Sequence, residues 1–348
     1  MQQRQQINSL QVFRGLAALA VVVHHAAGAT DDFIGNIPQW IHNTLDLGMY
    51  GVDFFFVLSG FIIMYVHQHD TKSFHSAKQY MVSRFIRVFP IYWLIAIAIA
   101  AAYTLLPGLS AAGTRDVSLI GSVLLLPSSG VPILSVAWTL IHEVMFYIIF
   151  LLFFINTRAF VVFVAFWLVS ILYTQVNGGI GIGAERYLLS LLNIEFILGM
   201  LAAWLLNHIH NTKVAIQFVI AGSVIGFASL YELSKEVPDA IRLIFALSMS
   251  MLILGMAVVE RQLHIKWPSI LLVLGNASYS IYLIHKPAQS VTQRMLGVMD
   301  FDWIYGLIVG VILTTAAGVI LHLVVEKPII NLCRKRLKAL KKHRRVTT

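Results

Sequence analysis

Charged residues are scarce in this sequence. Only 12% of its 348 residues are Asp, Glu, Lys or Arg, whereas 58% are hydrophobic. Soluble globular proteins average about 25% charged residues, so this composition excludes a soluble protein and predicts one that crosses a membrane repeatedly. Each span needs about 20 apolar residues, so a chain of this length holds about ten spans with short loops.

Cysteine is almost absent too. The single Cys333 excludes a disulfide within the chain and a metal site built from paired cysteines. The 13 histidines show no HExxH or similar zinc spacing. The sequence therefore predicts no metal centre.

The positive charge is concentrated at one end of the chain. The net charge is +9, and most of the excess lies in the segment 333–348. Beside a membrane span, such a segment is typical of a cytosolic anchor on anionic lipid, not of a nucleic-acid site. We predict one transmembrane domain over 1–332 and a basic cytosolic tail over 333–348.

Ten apolar runs can act as membrane-spanning helices. With the N-terminus in the cytosol, the loops expected inside carry most of the 25 Lys and Arg residues, as the positive-inside rule requires. We therefore predict an all-α protein with both termini cytosolic. Its spans run over 9–28, 46–67, 88–106, 134–155, 159–176, 187–206, 214–231, 240–259, 269–287 and 303–325.

Two connections differ from plain turns. Residues 68–87 place apolar side chains at helical spacing between basic ones, which predicts an amphipathic helix on the cytosolic membrane surface. Residues 107–133 are rich in Gly, Pro and Ser around a short apolar run. That run is too short to span and favours a re-entrant segment.

The first span carries Arg14 and the pair His24-His25. Ionisable side chains at membrane depth are costly and usually functional. At about 100° per residue, Arg14 and His25 share one helix face roughly 16 Å apart, while His24 is turned away by about 80°. We predict that His25 is needed for function and that His24 is needed much less.

Other spans contain further polar side chains. Arg84 and Arg87 lie one helical turn apart, so their guanidinium groups can bind one phosphate-bearing polyanion, with positive-inside anchoring as the alternative. Glu143 must pair, stay protonated or face water, and Arg14 and His25 are candidate partners. Substrate or structural roles are expected for six more residues, with His285 expected at the membrane interface: Asp53, Trp138, Tyr147, Tyr279, Tyr282 and His285.

Six motifs in order resemble the integral-membrane acyltransferase 3 family, most closely its exopolysaccharide and O-antigen O-acetyltransferase branch. They cover residues 7 to about 330 and are Arg14-x10-His25, GVDFFFVLSGF, SRFIRVFPIYW, AWTLIHEVMFY, LGNASYSIYLIH and Glu326-Lys327-Pro328. The resemblance implies a bacterial inner-membrane enzyme with spans around a central cavity. It would move an acyl group, usually acetyl, from cytosolic acetyl-CoA to a hydroxyl of a polysaccharide or lipid-linked sugar.

The resemblance also implies roles for residues. Arg84 and Arg87, with Lys72 and Lys78, would hold the CoA phosphates. His25 would act as general base or as a transient acyl carrier. Arg14 would serve CoA binding or the developing negative charge, and Glu143 could orient His25.

Three alternatives stay open at this stage. A secondary transporter could use Arg14, His25 and Glu143 as a proton relay, although no internal repeat supports a transporter. A polysaccharide-assembly protein without chemistry is the second. The third is an acyltransferase that uses succinyl instead of acetyl groups. The oligomeric state does not follow from the sequence.

Overall fold

The computed structural model describes residues 6–105, 118–128, 130–178, 183–235 and 239–346, except the side chains of Tyr103, Asp239 and residues 338–346. These residues form helices and connecting loops, which confirms the all-α prediction for the described part of the chain. The helices are α1 (Ser9–Phe33), α2 (Gln39–Asp46), α3 (Gly51–His67), α4 (Phe74–Leu105), α5 (Leu119–Leu124), α6 (Ala137–Ile155), α7 (Thr157–Val176), α8 (Glu185–Leu188), α9 (Leu192–Leu205), α10 (Thr212–Leu233), α11 (Asp239–Leu263), α12 (Ser269–Val298), α13 (Trp303–Leu321) and α14 (Lys327–Val346).

Nine helical segments of the described chain are long and apolar enough to cross a membrane, compared with ten predicted spans. The difference is α12, which is 30 residues long but contains many polar side chains. These side chains face neighbouring helices: Ser278, Ser280, His285, Gln289 and Gln293 are all buried. Helix α12 is therefore not apolar enough to be counted as a span by composition. Its polar side chains are accommodated because they are buried against neighbouring helices.

The prediction of a separate amphipathic helix within residues 68–87 is wrong. Residues 74–105 form one continuous helix, α4, with Pro90 in its interior. A proline inside a helix removes one backbone hydrogen bond and often kinks the helix, but it does not end this one. Of the predicted re-entrant segment, residues 107–117 and Ser129 lie outside the described residues, and the rest contains the six-residue helix α5.

Helices α1 and α12 pack closely enough for backbone contact. A Cβ atom at Gly275 would overlap the carbonyl oxygen of Gln11, and one at Gly15 would lie 2.9 Å from the amide nitrogen of Gly275. Small residues permit such close approach between membrane helices. The contact sets Arg14 and His25 of α1 beside the polar side of α12.

The start of α1 is held by a distant carboxylate. Glu260 of α11 is buried and accepts hydrogen bonds from the backbone N–H groups of Asn8 and Ser9, each at 2.7 Å. The first N–H groups of a helix lack partners within the helix, and a negative charge there is favourable. The bond fixes the end of α1 that carries Arg14.

Candidate active site

One cleft is lined by α1, α3, α4, α6 and α12, and we call it the arginine cleft. It encloses roughly 850 Å³ of space, including its open mouth. Its lining joins three arginines to tyrosine and apolar side chains: Arg14, Val52, Phe55, Phe56, Ser59, Ile62, Ile63, Arg84, Arg87, Val88, Thr139, Leu140, Glu143, Tyr147, Ser278, Tyr279 and Tyr282. The structure thus brings together four of the residues predicted for catalysis and CoA binding, namely Arg14, Arg84, Arg87 and Glu143.

Glu143 does not contact His25. Its carboxylate accepts a hydrogen bond from the hydroxyl of Tyr147, one turn along α6. In the described part of the chain it makes no ion pair within 4 Å with Arg14, whose guanidinium donates to Gln11 Oε1 at 3.2 Å. The prediction that Glu143 pairs with Arg14 or His25 is therefore wrong. Its carboxylate is directed instead towards Tyr147 in the next turn of α6.

Arg84 is held between two aromatic rings. Its guanidinium carbon lies 5.6 Å from the ring centre of Tyr80 and 5.5 Å from that of Tyr147. One terminal nitrogen is 3.3 Å from His67 Nε2. The Nε of Arg84 is buried and has no hydrogen-bond partner. Arg84 is thus positioned by stacking, with part of its hydrogen-bonding capacity unused.

Arg87 has a carboxylate partner that sequence reasoning did not assign. Its terminal nitrogen donates to Oε1 of the fully buried Glu326 at 2.5 Å. The other oxygen of Glu326 accepts from Ser280 Oγ at 2.7 Å and from His322 Nδ1 at 2.8 Å. A π-helical turn over His322–Glu326, between α13 and α14, presents both residues. Such turns are often found at functional sites.

Neither Lys72 nor Lys78 lines the arginine cleft. Both are exposed, and the ammonium group of Lys72 lies 3.3 Å from the ring centre of Phe153. Tyr279 does line the cleft, and its hydroxyl donates to the carbonyl of Val88 at 2.8 Å. Lys72 precedes α4 and Lys78 lies near the start of that helix, so neither contributes to the wall of the cleft.

A second cleft, which we call the histidine cleft, encloses roughly 670 Å³. His25 lines it together with His24, Met49, Val52, Ser135, Val136, Trp138, Arg242, Tyr282 and Lys286. Arg14 and His25 therefore share a helix face but lie in different clefts.

The expectation that His24 points away from the site is wrong. Its ring meets that of His25 edge to face at 4.5 Å between centroids, and both line the histidine cleft. His24 Nδ1 lies 3.1 Å from one carboxylate oxygen of Asp46, and His42 Nδ1 lies 3.2 Å from the other. Neighbouring residues of a helix point in directions about 100° apart. The imidazole rings of His24 and His25 are nevertheless large enough to touch.

Two residues line both clefts, Val52 of α3 and Tyr282 of α12. The Tyr282 hydroxyl lies 2.9 Å from Thr139 Oγ1 and 3.4 Å from the carbonyl of Val136, both near the start of α6. These contacts hold the ring between the clefts. Val52 and Tyr282 therefore lie where the two clefts adjoin.

Arg242 is a second residue that sequence reasoning missed. It lines the histidine cleft and binds both oxygens of the buried Asp53, one of them at 3.1 Å. A second buried carboxylate, Glu195, lies 3.8 Å from Arg242. Asp53 therefore supports a cleft residue and does not itself line either cleft. Arg242 stands at the start of the predicted span 240–259, and the sequence offered no signal for this pairing.

His285 lies inside the protein, whereas the sequence suggested a side chain at the membrane interface. It is fully buried, with its ring 4.8 Å from that of His25. Helix α12 continues for 13 residues beyond it to Val298, so the predicted end of the span was placed too early. Within the described part of the chain no group of three or more His, Cys, Asp or Glu residues could hold a metal ion.

Comparison with known proteins identifies the family. The profile of the acyltransferase domain of the acyltransferase 3 family matches residues 7–323. The chain belongs to this family. This confirms the resemblance drawn from its motifs, and the protein is a multi-pass membrane acyltransferase.

The acyltransferase also has a curated relative. It is 28% identical over 299 residues to the exopolysaccharide production protein ExoZ of Rhizobium meliloti (strain 1021), covering 83% of this chain and 92% of the relative. No solved structure matches the chain significantly.

Proposed function

We propose that this acyltransferase moves an acetyl group from acetyl-CoA, bound in the arginine cleft, to a sugar hydroxyl of an exopolysaccharide or its lipid-linked precursor in the histidine cleft. The observation that carries the proposal is the meeting of the two clefts at Val52 and Tyr282. One cleft supplies cations for a phosphate-rich donor, and the other supplies a base for a hydroxyl. Family membership favours this enzyme over a transporter or a protein without chemistry.

Arg84 and Arg87 are the proposed phosphate-binding residues. Both line the arginine cleft and are fixed before any ligand binds, Arg84 by two tyrosine rings and Arg87 by Glu326. Guanidinium groups bind phosphate through paired charge-assisted hydrogen bonds. Side chains that are already ordered lose less entropy when the ligand binds. Arg14, which lines the same cleft, would face the thioester end of the donor.

His25 is the proposed general base. Its Nδ1 lies 3.1 Å from the carbonyl of Val21, which can only accept, so Nδ1 carries the hydrogen and Nε2 carries the lone pair. The Nε2 atom would take the proton of the acceptor hydroxyl as the C–O bond forms. The C–S bond of the thioester breaks at the same carbonyl carbon, and the proton is returned to the CoA thiolate.

The acceptor class rests on the relative. A protein named for exopolysaccharide production resembles this chain over most of both lengths, and an exopolysaccharide sugar offers the hydroxyl that the histidine cleft would receive. The charge pattern of the loops supports cytosolic termini in an inner membrane, with the donor entering from the cytosol. On that orientation, the arginine cleft opens to the cytosol and the histidine cleft opens to the opposite side.

Radiolabelled acetyl-CoA tests the proposal. Purified protein in nanodiscs is given [¹⁴C]acetyl-CoA and exopolysaccharide from cells that lack this protein, and label in polysaccharide and release of free CoA are measured together. Equal amounts of both are expected from the wild type, and at least roughly 10²-fold less of both from His25→Ala. Label on the protein in the absence of acceptor would show that His25 carries the acetyl group covalently. Transfer from succinyl-CoA in preference to acetyl-CoA, or no CoA release with either donor, would overturn the proposal.

A further inference from the structure

Asp53 binds only one edge of the Arg242 guanidinium group. Its carboxylate accepts from Nε through one oxygen and from Nη2, at 3.1 Å, through the other. Asp53 is buried, whereas 26% of the Arg242 side chain is exposed. Arg242 lines the histidine cleft and Asp53 does not. The carboxylate therefore holds the guanidinium from behind and leaves it at the surface of the cleft.

The remaining donors of Arg242 are arranged to bind two oxygens at once. A guanidinium group has five N–H donors in one plane, and Asp53 takes the Nε hydrogen and one hydrogen of Nη2. Two hydrogens on Nη1 and one on Nη2 remain. Within the described part of the chain Nη1 makes no hydrogen bond, yet it is not a buried atom. The parallel N–H groups of Nη1 and Nη2 form a fork that matches two oxygens of one carboxylate or phosphate.

We propose that Arg242 binds an anionic group of the acceptor and thereby selects acidic acceptors. That group is either a carboxylate of an acidic sugar residue or a phosphate of a lipid linker, which offer the fork the same pair of oxygens. This inference rests on the proposed function, in which the histidine cleft receives the acceptor. Arg242 and His25 line the same cleft, so an anion held at Arg242 would restrict which hydroxyl reaches His25.

The charge balance of the cleft favours an anion. None of the described residues that line it is acidic, and Lys286 adds a second cation. Glu195, 3.8 Å from Arg242, is fully buried, and its oxygens make no hydrogen bond within the described chain. Two buried carboxylates beside one guanidinium are costly when both are charged, so we expect Glu195 in its neutral form. Asp53 then balances Arg242, and Lys286 leaves the cleft with a net positive charge.

A purely structural role for Arg242 is the alternative, because its ion pair with Asp53 also ties α11 to α3. Arg242→Lys separates the two roles. Lysine keeps a positive charge for Asp53 but has no planar fork. Arg261→Lys is the matched control, since Arg261 also lies in α11, packs on the ring of Tyr65 at 5.2 Å and lines neither cleft.

Two matched pairs of probes measure the preference for acidic acceptors. The first pair is oligosaccharide fragments of the exopolysaccharide, either native or with their carboxyl groups reduced to alcohols, used as acceptors of the labelled acetyl group. The second pair is geranyl diphosphate and geraniol, used as inhibitors that compete with the acceptor. A lower KM for native fragments identifies an acidic sugar, and inhibition by the diphosphate alone identifies a phosphate linker.

The wild type should prefer the charged member of one pair by roughly 10- to 100-fold, the effect of one charge-assisted hydrogen bond. In Arg242→Lys we expect this preference to fall to a few-fold, with the KM for acetyl-CoA unchanged. Arg261→Lys should keep the wild-type preference. Equal treatment of both members of each pair by the wild type would overturn the anion site, and so would an undiminished preference in Arg242→Lys.

Two further measurements keep the inference testable on its own. Should Arg242→Lys fail to fold, Lys286→Gln decides, because Lys286 is exposed and lines the same cleft. This variant should keep most of the preference, and its complete loss would assign the anion site to Lys286 instead of Arg242. If the wild type transfers no acetyl group, the proposed function fails. Calorimetric titration of the wild type and Arg242→Lys with the same four probes then still supports or overturns the anion site.

Discussion

The arginine cleft and the histidine cleft differ in how their charged groups are held. In the arginine cleft, Arg84 and Arg87 are fixed by tyrosine rings and by Glu326 while still lining open space. In the histidine cleft, Arg242 is bound through two of its nitrogens to the carboxylate of Asp53. His25 there has one ring nitrogen with no hydrogen-bond partner among the described residues. The first arrangement suits binding of a polyanion, and the second suits proton transfer.

The same comparison explains how one site could serve two substrates. A base that is strongly paired cannot accept a proton, and a binding cation that is unfixed loses entropy when it binds. Separating the two tasks into adjoining clefts removes this conflict. It also predicts that substitutions in the two clefts will affect different kinetic constants.

The largest effect is expected at His25. His25→Ala removes the proposed base and should lower kcat by roughly 10²- to 10⁴-fold, the range typical of general acid–base catalysis. The dissociation constant of CoA, measured by titration calorimetry in nanodiscs, should stay unchanged because donor binding belongs to the other cleft. His24→Ala is the matched control, with an expected loss of about tenfold or less, since His24 contacts His25 and Asp46 but is not the proposed base. Equal losses in both variants would contradict a specific role for His25.

The paired arginines should show the opposite kinetic pattern. Charge-assisted hydrogen bonds contribute about 1.5–3 kcal/mol each, so Arg84→Ala and Arg87→Ala should each weaken CoA binding by roughly 10- to 100-fold. The kcat at saturating acetyl-CoA should change little. Arg158→Ala, at an exposed arginine that lines neither cleft, serves as control. Wild-type CoA affinity in the double variant would remove the phosphate-binding role.

Glu326 tests whether Arg87 needs to be held in place. Glu326→Gln keeps the shape of the side chain but removes the charge that Arg87, Ser280 and His322 share. We expect the KM for acetyl-CoA to rise by about tenfold with little change in kcat, as one charge-assisted bond is weakened. Glu232→Gln alters an exposed carboxylate paired with Lys235 and should be silent. A lower KM in Glu326→Gln would mean that Glu326 competes with the phosphates instead of positioning Arg87.

Helical periodicity predicted part of this site. It placed Arg14 and His25 on one face of α1, and the structure puts both in clefts beside α12. Periodicity describes direction around one helix, so it could not show that the face borders two separate clefts. For the same reason it overstated the separation of His24 from His25, whose rings touch.

Long-range pairs are what the sequence could not predict. Arg87 pairs with Glu326 across 239 positions, and Arg242 with Asp53 across 189. A single sequence contains no signal for which distant charges meet, because that depends on how the helices pack. Hydropathy likewise placed His285 at a membrane interface, because the apolar run ends there. Helix α12 continues to Val298 because it packs between α1 and α13, which its apolarity does not show.

The smallest effect is expected at the boundary between the clefts, and it tests whether they act as separate compartments. Tyr282 lines both clefts and is held by Thr139 and Val136. Removing its ring in Tyr282→Ala should let water from the histidine cleft reach the thioester. Without acceptor, hydrolysis of acetyl-CoA should then rise a few-fold, while transfer to polysaccharide falls by a similar factor as the reacting groups lose alignment.

Two controls accompany Tyr282→Ala. Tyr282→Phe keeps the ring and should hydrolyse acetyl-CoA at the wild-type rate. Tyr305→Ala, at an exposed tyrosine of α13, controls for a general loss of helix packing after removal of a tyrosine ring. If hydrolysis in Tyr282→Ala stays at the wild-type rate, the ring does not separate the two clefts, and their different chemistry depends on side-chain placement alone.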